Sequence, residues 1–153
     1  MKLAIAPVAL VLLLLSPTAA PALEPSRASD LVTLIASETD CPIAGKAFDT
    51  RVLADGSQVP FTIPPKRVLV ITGFEFLQSG APPGAGTTAL VTQQPTGAAL
   101  ASPLLQAAAV ADAGGFLAGS AFAAPGIAVR GTAALCGSNV VGAILHGFLA
   151  KDK

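Results

Sequence analysis

The chain has 153 residues, 52% of them hydrophobic and only 12% charged, with nine basic side chains balancing nine acidic ones. That balance excludes the basic footprint by which proteins grip nucleic acid or an anionic membrane, and the wealth of Ala, Val and Leu excludes a natively disordered chain. The length suits one domain, able to bury about two-thirds of the surface its unfolded chain exposes.

In chain order, the first feature is a secretory signal peptide over residues 1–22. Lys2 gives the cationic start, residues 3–15 an apolar run, and Ala20-Pro21-Ala22 a small-residue cleavage site. About 13 apolar residues ended by Ser16-Pro17 fall short of the roughly 20 that cross a bilayer. The expectation is cleavage after Ala22, a secreted or periplasmic location and no membrane span afterwards. Removing 22 of the 153 residues leaves 131, with eight basic side chains against nine acids and a formal charge of −1.

Residues 23–44 read as an extended N-terminal segment ahead of a single domain over 45–153. The only two cysteines are Cys41 and Cys136, and in an exported chain they are expected to pair. A redox-active pair usually has the close C-x-x-C spacing that these two lack. Closing a loop of roughly 95 residues removes denatured-state entropy worth about 4–5 kcal/mol.

Residues 48–54 and 58–63 form a hairpin about Asp55-Gly56, because glycine accepts the positive φ of a tight turn. Alternation puts Val59, Phe61 and Ile63 on one face. Pro60 lacks a ladder donor and places that strand at an edge or with the position facing outward. After the Pro64-Pro65 break, residues 67–77 are β-branched and apolar on both faces, the mark of a central strand. Val68, Val70, Phe74 and Phe76 are expected to form one continuous apolar row, with Gly73 marking a bulge or bend. Glu75, opposite that row, reads as a solvated carboxylate, since acid–base hydrolysis usually needs a second group. Lys66-Arg67 reads as a solvated strand entrance that limits edge pairing.

Residues 78–86 are a loop held open by Pro82-Pro83-Gly84 and Gly86. A strand over 87–92 then runs into a Pro95-Thr96-Gly97 turn. Residues 102–112 admit two readings. Ser102-Pro103 can cap a helix that stops at Gly114, or 104–111 and 116–122 form strands joined at Asp112-Ala113-Gly114-Gly115. Strands are preferred, because alanine's helix propensity yields to tertiary context. A type II turn at Pro125-Gly126 leads into a strand over 127–130. A turn at Cys136-Gly137-Ser138-Asn139 then precedes a last strand over 140–150, apolar on both faces and therefore inside a sheet. About seven or eight short strands with turns roughly every ten residues predict an all-β fold, an antiparallel β-sandwich of jelly-roll or Greek-key type. Residues 59–76 and 125–149 resemble the strand pairs of bacterial exported jelly-roll modules. That likeness is architectural; it names no family and implies no site.

The chemistry-bearing residues are sparse. His146 is the one histidine, so the several histidines that hold a cupin metal are missing. It shares a strand face with Ile144 and Phe148, where a packed or partly exposed imidazole rather than a ligand is the expectation. A serine hydrolase would need Ser120 or Ser138 as nucleophile beside His146 with an acid such as Asp112 behind it, yet neither serine lies in a G-x-S-x-G elbow. Gly84-Ala85-Gly86 lacks the lysine of a phosphate loop, and the chain has no Trp or Tyr to grip a sugar or anchor an interface. No catalytic, cofactor-binding or metal-ligating residue is predicted; the site residues are the disulfide partners Cys41 and Cys136. The expected function is a non-catalytic exported module that binds a protein or envelope partner or self-associates. The alternative is a small exported hydrolase using His146.

Overall fold

Runs of β-branched and aliphatic residues, broken repeatedly by Gly, Pro and Asp, favour short strands that pair with one another. The structure, a computed structural model, describes residues 24–95, 97, 100–138 and 142–152. The predicted signal peptide lies outside the described residues, as do parts of the turn at 95–97 and of the approach to the last strand. A 3-10 turn at Ala28–Asp30 is followed by ten strands: β1 Leu31–Ile35, β2 Lys46–Ala47, β3 Thr50–Val52, β4 Gln58–Pro60, β5 Arg67–Gln78, β6 Gly86–Pro95, β7 Ser102–Val110, β8 Leu117–Val129, β9 Ala133–Ser138 and β10 Ile144–Lys151. They form a six-stranded sheet, ordered β4-β3-β1-β10-β5-β8, and a four-stranded sheet, ordered β2-β9-β6-β7. Every pairing is antiparallel. The chain is an antiparallel β-sandwich, not closed into a barrel.

Much of the expected layout is present. The Asp55-Gly56 hairpin joins β3 to β4, with Pro60 on an edge strand. Residues 102–112 take the strand alternative, in β7, and β5 and β10 are both interior to the large sheet. Ten strands stand against the seven or eight expected from turn spacing, because β1, β2 and β9 are added while two expected strands merge into β8. Leu31–Ile35, inside the segment read as an N-terminal extension, pairs with β10 on one side and β3 on the other, burying Val32 and Leu34 in the core. Cys136, Gly137 and Ser138 belong to β9 rather than to a turn. Pro125-Gly126 does not separate two strands, because β8 runs through it with a cis Ala124–Pro125 bond. The interruption is a bulge: Phe122 pairs with Gly73 and Ile127 with Ile71, so residues 123–126 loop out opposite Thr72. Beyond Pro60 the chain leaves the sheet. Phe61 and Ile63 pack on the core from this strap while Val59 stays exposed, so the three do not share one half-buried strand face.

The bulge at Thr72 sets which way the rest of β5 faces. β10 pairs Gly147 with Ile71 and His146 with Gly73, skipping Thr72, and one inserted residue inverts the alternation beyond it. Leu69 and Ile71 before the bulge, and Phe74 and Phe76 after it, therefore lie in one core between the sheets. Val68 and Val70 join Phe148 and Ala150 in a second cluster, separate from that core. The continuous row expected from Val68 to Phe76 is split for this reason. In the main core the Phe74 ring meets Phe48 edge-on at 6.3 Å and stacks with Phe76 at 6.1 Å.

The two cysteines pair, Cys41 to Cys136, with their Cα atoms 6.1 Å apart and 95 residues between them in sequence. The bridge ties the loop before β2 to β9, where the backbone carbonyl of Gly137 approaches Gly45 so closely that a side chain at Gly45 would collide with it. Gln94, buried on β6, pins the same loop. Its carbonyl oxygen accepts from the Ile43 N–H at 2.9 Å, and its amide donates to the Ala44 carbonyl at 2.8 Å and to Thr92 Oγ1 at 3.1 Å. At the other end of the large sheet, buried Asp30 accepts from Ser26 Oγ at 2.7 Å and faces the Arg67 guanidinium at 3.5 Å.

Candidate binding site

Downstream of the bulge, Glu75 and Leu77 point away from the core and are exposed. Register then sets their neighbours. Glu75 stands between Ile144 of β10 and Ser120 of β8, and Leu77 stands opposite Ala118. The turn from β7 to β8 carries the chain between the two sheets and brings Ala108 to the flank of β8. These residues line a shallow trough of about 560 Å³ on Glu75, Leu77, Ala108, Ala118, Ser120 and Ile144. Across the three paired strands β10, β5 and β8, at about 4.8 Å per strand, it spans roughly 10 Å, with Ala108 of the other sheet on its flank. Beneath it, the Phe76 ring lies so close to Gly119 that a Cβ there would strike it, so the absent side chain at Gly119 is what lets β8 rest on the core.

The trough is chemically simple. Glu75 is the one ionised side chain among the lining residues described. His146 Nε2 lies 3.8 Å from Glu75 Oε1, with side chains 39% and 50% exposed respectively, and forms an ion pair only when protonated. That spacing exceeds a hydrogen bond. Around the charge stand the hydroxyl of Ser120, the methyl groups of Ala108 and Ala118, and the larger apolar surfaces of Leu77 and Ile144.

The four groups weighed for hydrolysis are not brought together. Glu75 is the cross-strand partner of Ser120, while His146 lies on the far side of β5. At about 4.8 Å per strand, the serine and histidine backbones are roughly 10 Å apart, with β5 between them. Here the acid stands between serine and histidine, whereas a triad places the histidine in the middle. Ser138 is in the other sheet, opposite Leu90. The Asp112 carboxylate caps the turn between β7 and β8, accepting from the N–H groups of Gly114 at 2.8 Å and Phe116 at 2.9 Å. Among the described residues no three His, Cys, Asp or Glu side chains are grouped so as to hold a metal ion. Gly84 and Ala85 serve loop bonding, the former donating to the Ala111 carbonyl.

A second, smaller crevice of about 270 Å³ opens between the strap carrying Phe61 and Ile63 and the inner side of β9, walled by Phe48 and Leu135. Among the described residues no helix is long and apolar enough to cross a membrane.

Sequence reasoning singled out His146, Ser120 and Glu75 separately but missed the trough. Its outward row depends on the phase reversal at Thr72, and its cross-strand neighbours depend on register. Comparison with protein-family models, with curated proteins and with solved structures finds no match to this chain.

Proposed function

We propose that the protein is an exported, non-catalytic β-sandwich module that meets a protein or envelope partner through the trough on its six-stranded sheet. The observation that carries this reading is the arrangement across β10, β5 and β8. A shallow concave surface with a single central carboxylate, flanked by Leu77 and Ile144, suits recognition, and Ser120 and His146 stand on opposite sides of Glu75 rather than in the order of a triad. The signal-peptide pattern and the Cys41–Cys136 bridge support a location outside the reducing cytosol. The mature protein, assayed against chromogenic ester, phosphate and glycoside substrates, should show turnover no higher than a heat-denatured control. Turnover that His146→Ala abolishes, with the melting temperature unchanged, would overturn the reading.

A further inference from the structure

We propose that the trough receives a basic side chain from a partner polypeptide, its cationic head on Glu75 and its aliphatic stem lying between Leu77 and Ile144. The proposal rests on the reading of the trough as a binding surface and adds what binds there. Charge complementarity selects the ligand. The groups facing Glu75 are Ile144 and His146 from β10, Ser120 and Ala118 from β8, Ala108 from β7, and Leu77 on its own strand, so only the imidazole can offset the carboxylate. Among the described residues Glu75 accepts no side-chain hydrogen bond and has no cation closer than His146 at 3.8 Å, which leaves its oxygens open to an incoming donor. An anionic ligand would meet this charge with no fixed cation in reach. A guanidinium or ammonium group would bond Glu75, and Ser120 Oγ would accept a second hydrogen bond. Long basic side chains bury their stems on apolar surface while the head stays hydrated, and Leu77, 54% exposed, offers that surface. A trough of roughly 10 Å accommodates about three residues of extended chain.

The test is a ¹⁵N-resolved NMR titration of the mature protein with acetyl-Leu-Arg-Leu-amide, acetyl-Leu-Gln-Leu-amide and acetyl-Leu-Glu-Leu-amide. The arginine peptide should give saturable shifts at Glu75, Leu77, Ala118, Ser120 and Ile144. It should bind about 1.5-fold to fivefold tighter than the glutamine peptide, the range of an exposed charge pair, and the glutamate peptide should bind weakest. Glu75→Gln should abolish the preference for arginine. His146→Lys, which sets a permanent cation beside Glu75, should reduce it, and His146→Ala should preserve it; unchanged melting temperatures certify all three variants as folded. Equal affinity for arginine and glutamine peptides, or a preference that survives Glu75→Gln, overturns the charge assignment while leaving the trough as a binding surface. Absence of shifts there with any of the three peptides overturns the proposal. Cleavage of a peptide, seen by mass spectrometry of the same samples, counts instead against the non-catalytic reading.

Discussion

Replacing Cys41 and Cys136 together by serine opens a loop of 95 residues in sequence, and the cost can be worked from that length. Chain entropy gives about 4.7 kcal/mol at 25 °C for a loop of this size, with measured contributions of natural bridges at about 2–5 kcal/mol. The native state should keep its shape. Gln94 still holds Ile43 and Ala44, the Cys41 N–H still donates to the Gly45 carbonyl at 2.9 Å, and the Ala47 N–H to the Thr39 carbonyl at 2.9 Å. The loss therefore falls on the denatured state, which regains conformational freedom. With unfolding entropy of about 2.1 cal/mol/K per residue, a mature chain of this size should lose roughly 7–17 °C in melting temperature. Circular dichroism at 20 °C should be superimposable for the mature protein and the double serine variant, with the difference appearing in thermal and urea melts. A melting temperature lowered by less than about 3 °C would refute the loop-entropy argument. A variant already unfolded at 20 °C would refute the claim that Gln94 secures the loop without the bridge.

Gln94→Leu should cost about 1–2 kcal/mol in urea unfolding, because the Ile43 N–H and Ala44 carbonyl lose the amide that holds their loop; a loss below about 0.5 kcal/mol would mean that water replaces the amide. Gly119→Ala should destabilise by about 1–3 kcal/mol as its methyl group strikes the Phe76 ring, and Phe76→Leu in the same variant should relieve the clash; a neutral Gly119→Ala would contradict the packing under the trough. The Ser26 hydroxyl, with Arg67 and Arg27, holds the Asp30 carboxyl below its ordinary value. Its stabilisation is then present above the ordinary carboxylate pKa of about 3.9 and is lost as pH falls through the lowered folded value. The melting-temperature gap between the wild type and Asp30→Asn should accordingly be widest near neutral pH and narrow below about pH 4; a gap that widens in acid would reverse the sign.

The extent to which the sequence was legible follows from how local each signal is. The β3–β4 hairpin is marked by Asp55-Gly56, the interior placement of β5 by apolar residues on both of its faces, and the Cys41–Cys136 pairing by there being only two cysteines. β1 has an equally plain strand sequence, Leu31-Val32-Thr33-Leu34-Ile35, but its partner Phe148 lies at the far end of the chain and nothing nearby announces it. Pro125-Gly126 carries the composition of a turn, yet a strand can absorb such a pair as a bulge when its neighbour bulges too, as β5 does at Thr72. Gln94 looks like any polar residue on a half-buried strand, and only the folded loop reveals what its amide holds. The trough was hidden for a related reason: Glu75, Ser120 and Ile144 become neighbours through two registers, one of them shifted by an inserted residue.

The account depends most on the reversal of facing within β5, because it carries Glu75 and Leu77 out of the core and into the trough. Thiol labelling of Leu69→Cys, Ile71→Cys, Glu75→Cys and Leu77→Cys under native, non-reducing conditions measures it directly. Cysteines at Leu69 and Ile71, where the native side chains are 1% and 0% exposed, should react only on unfolding, and those at Glu75 and Leu77 should react at the rate of a free thiol. Protection at all four positions would show unbroken alternation along the strand and would contradict the trough.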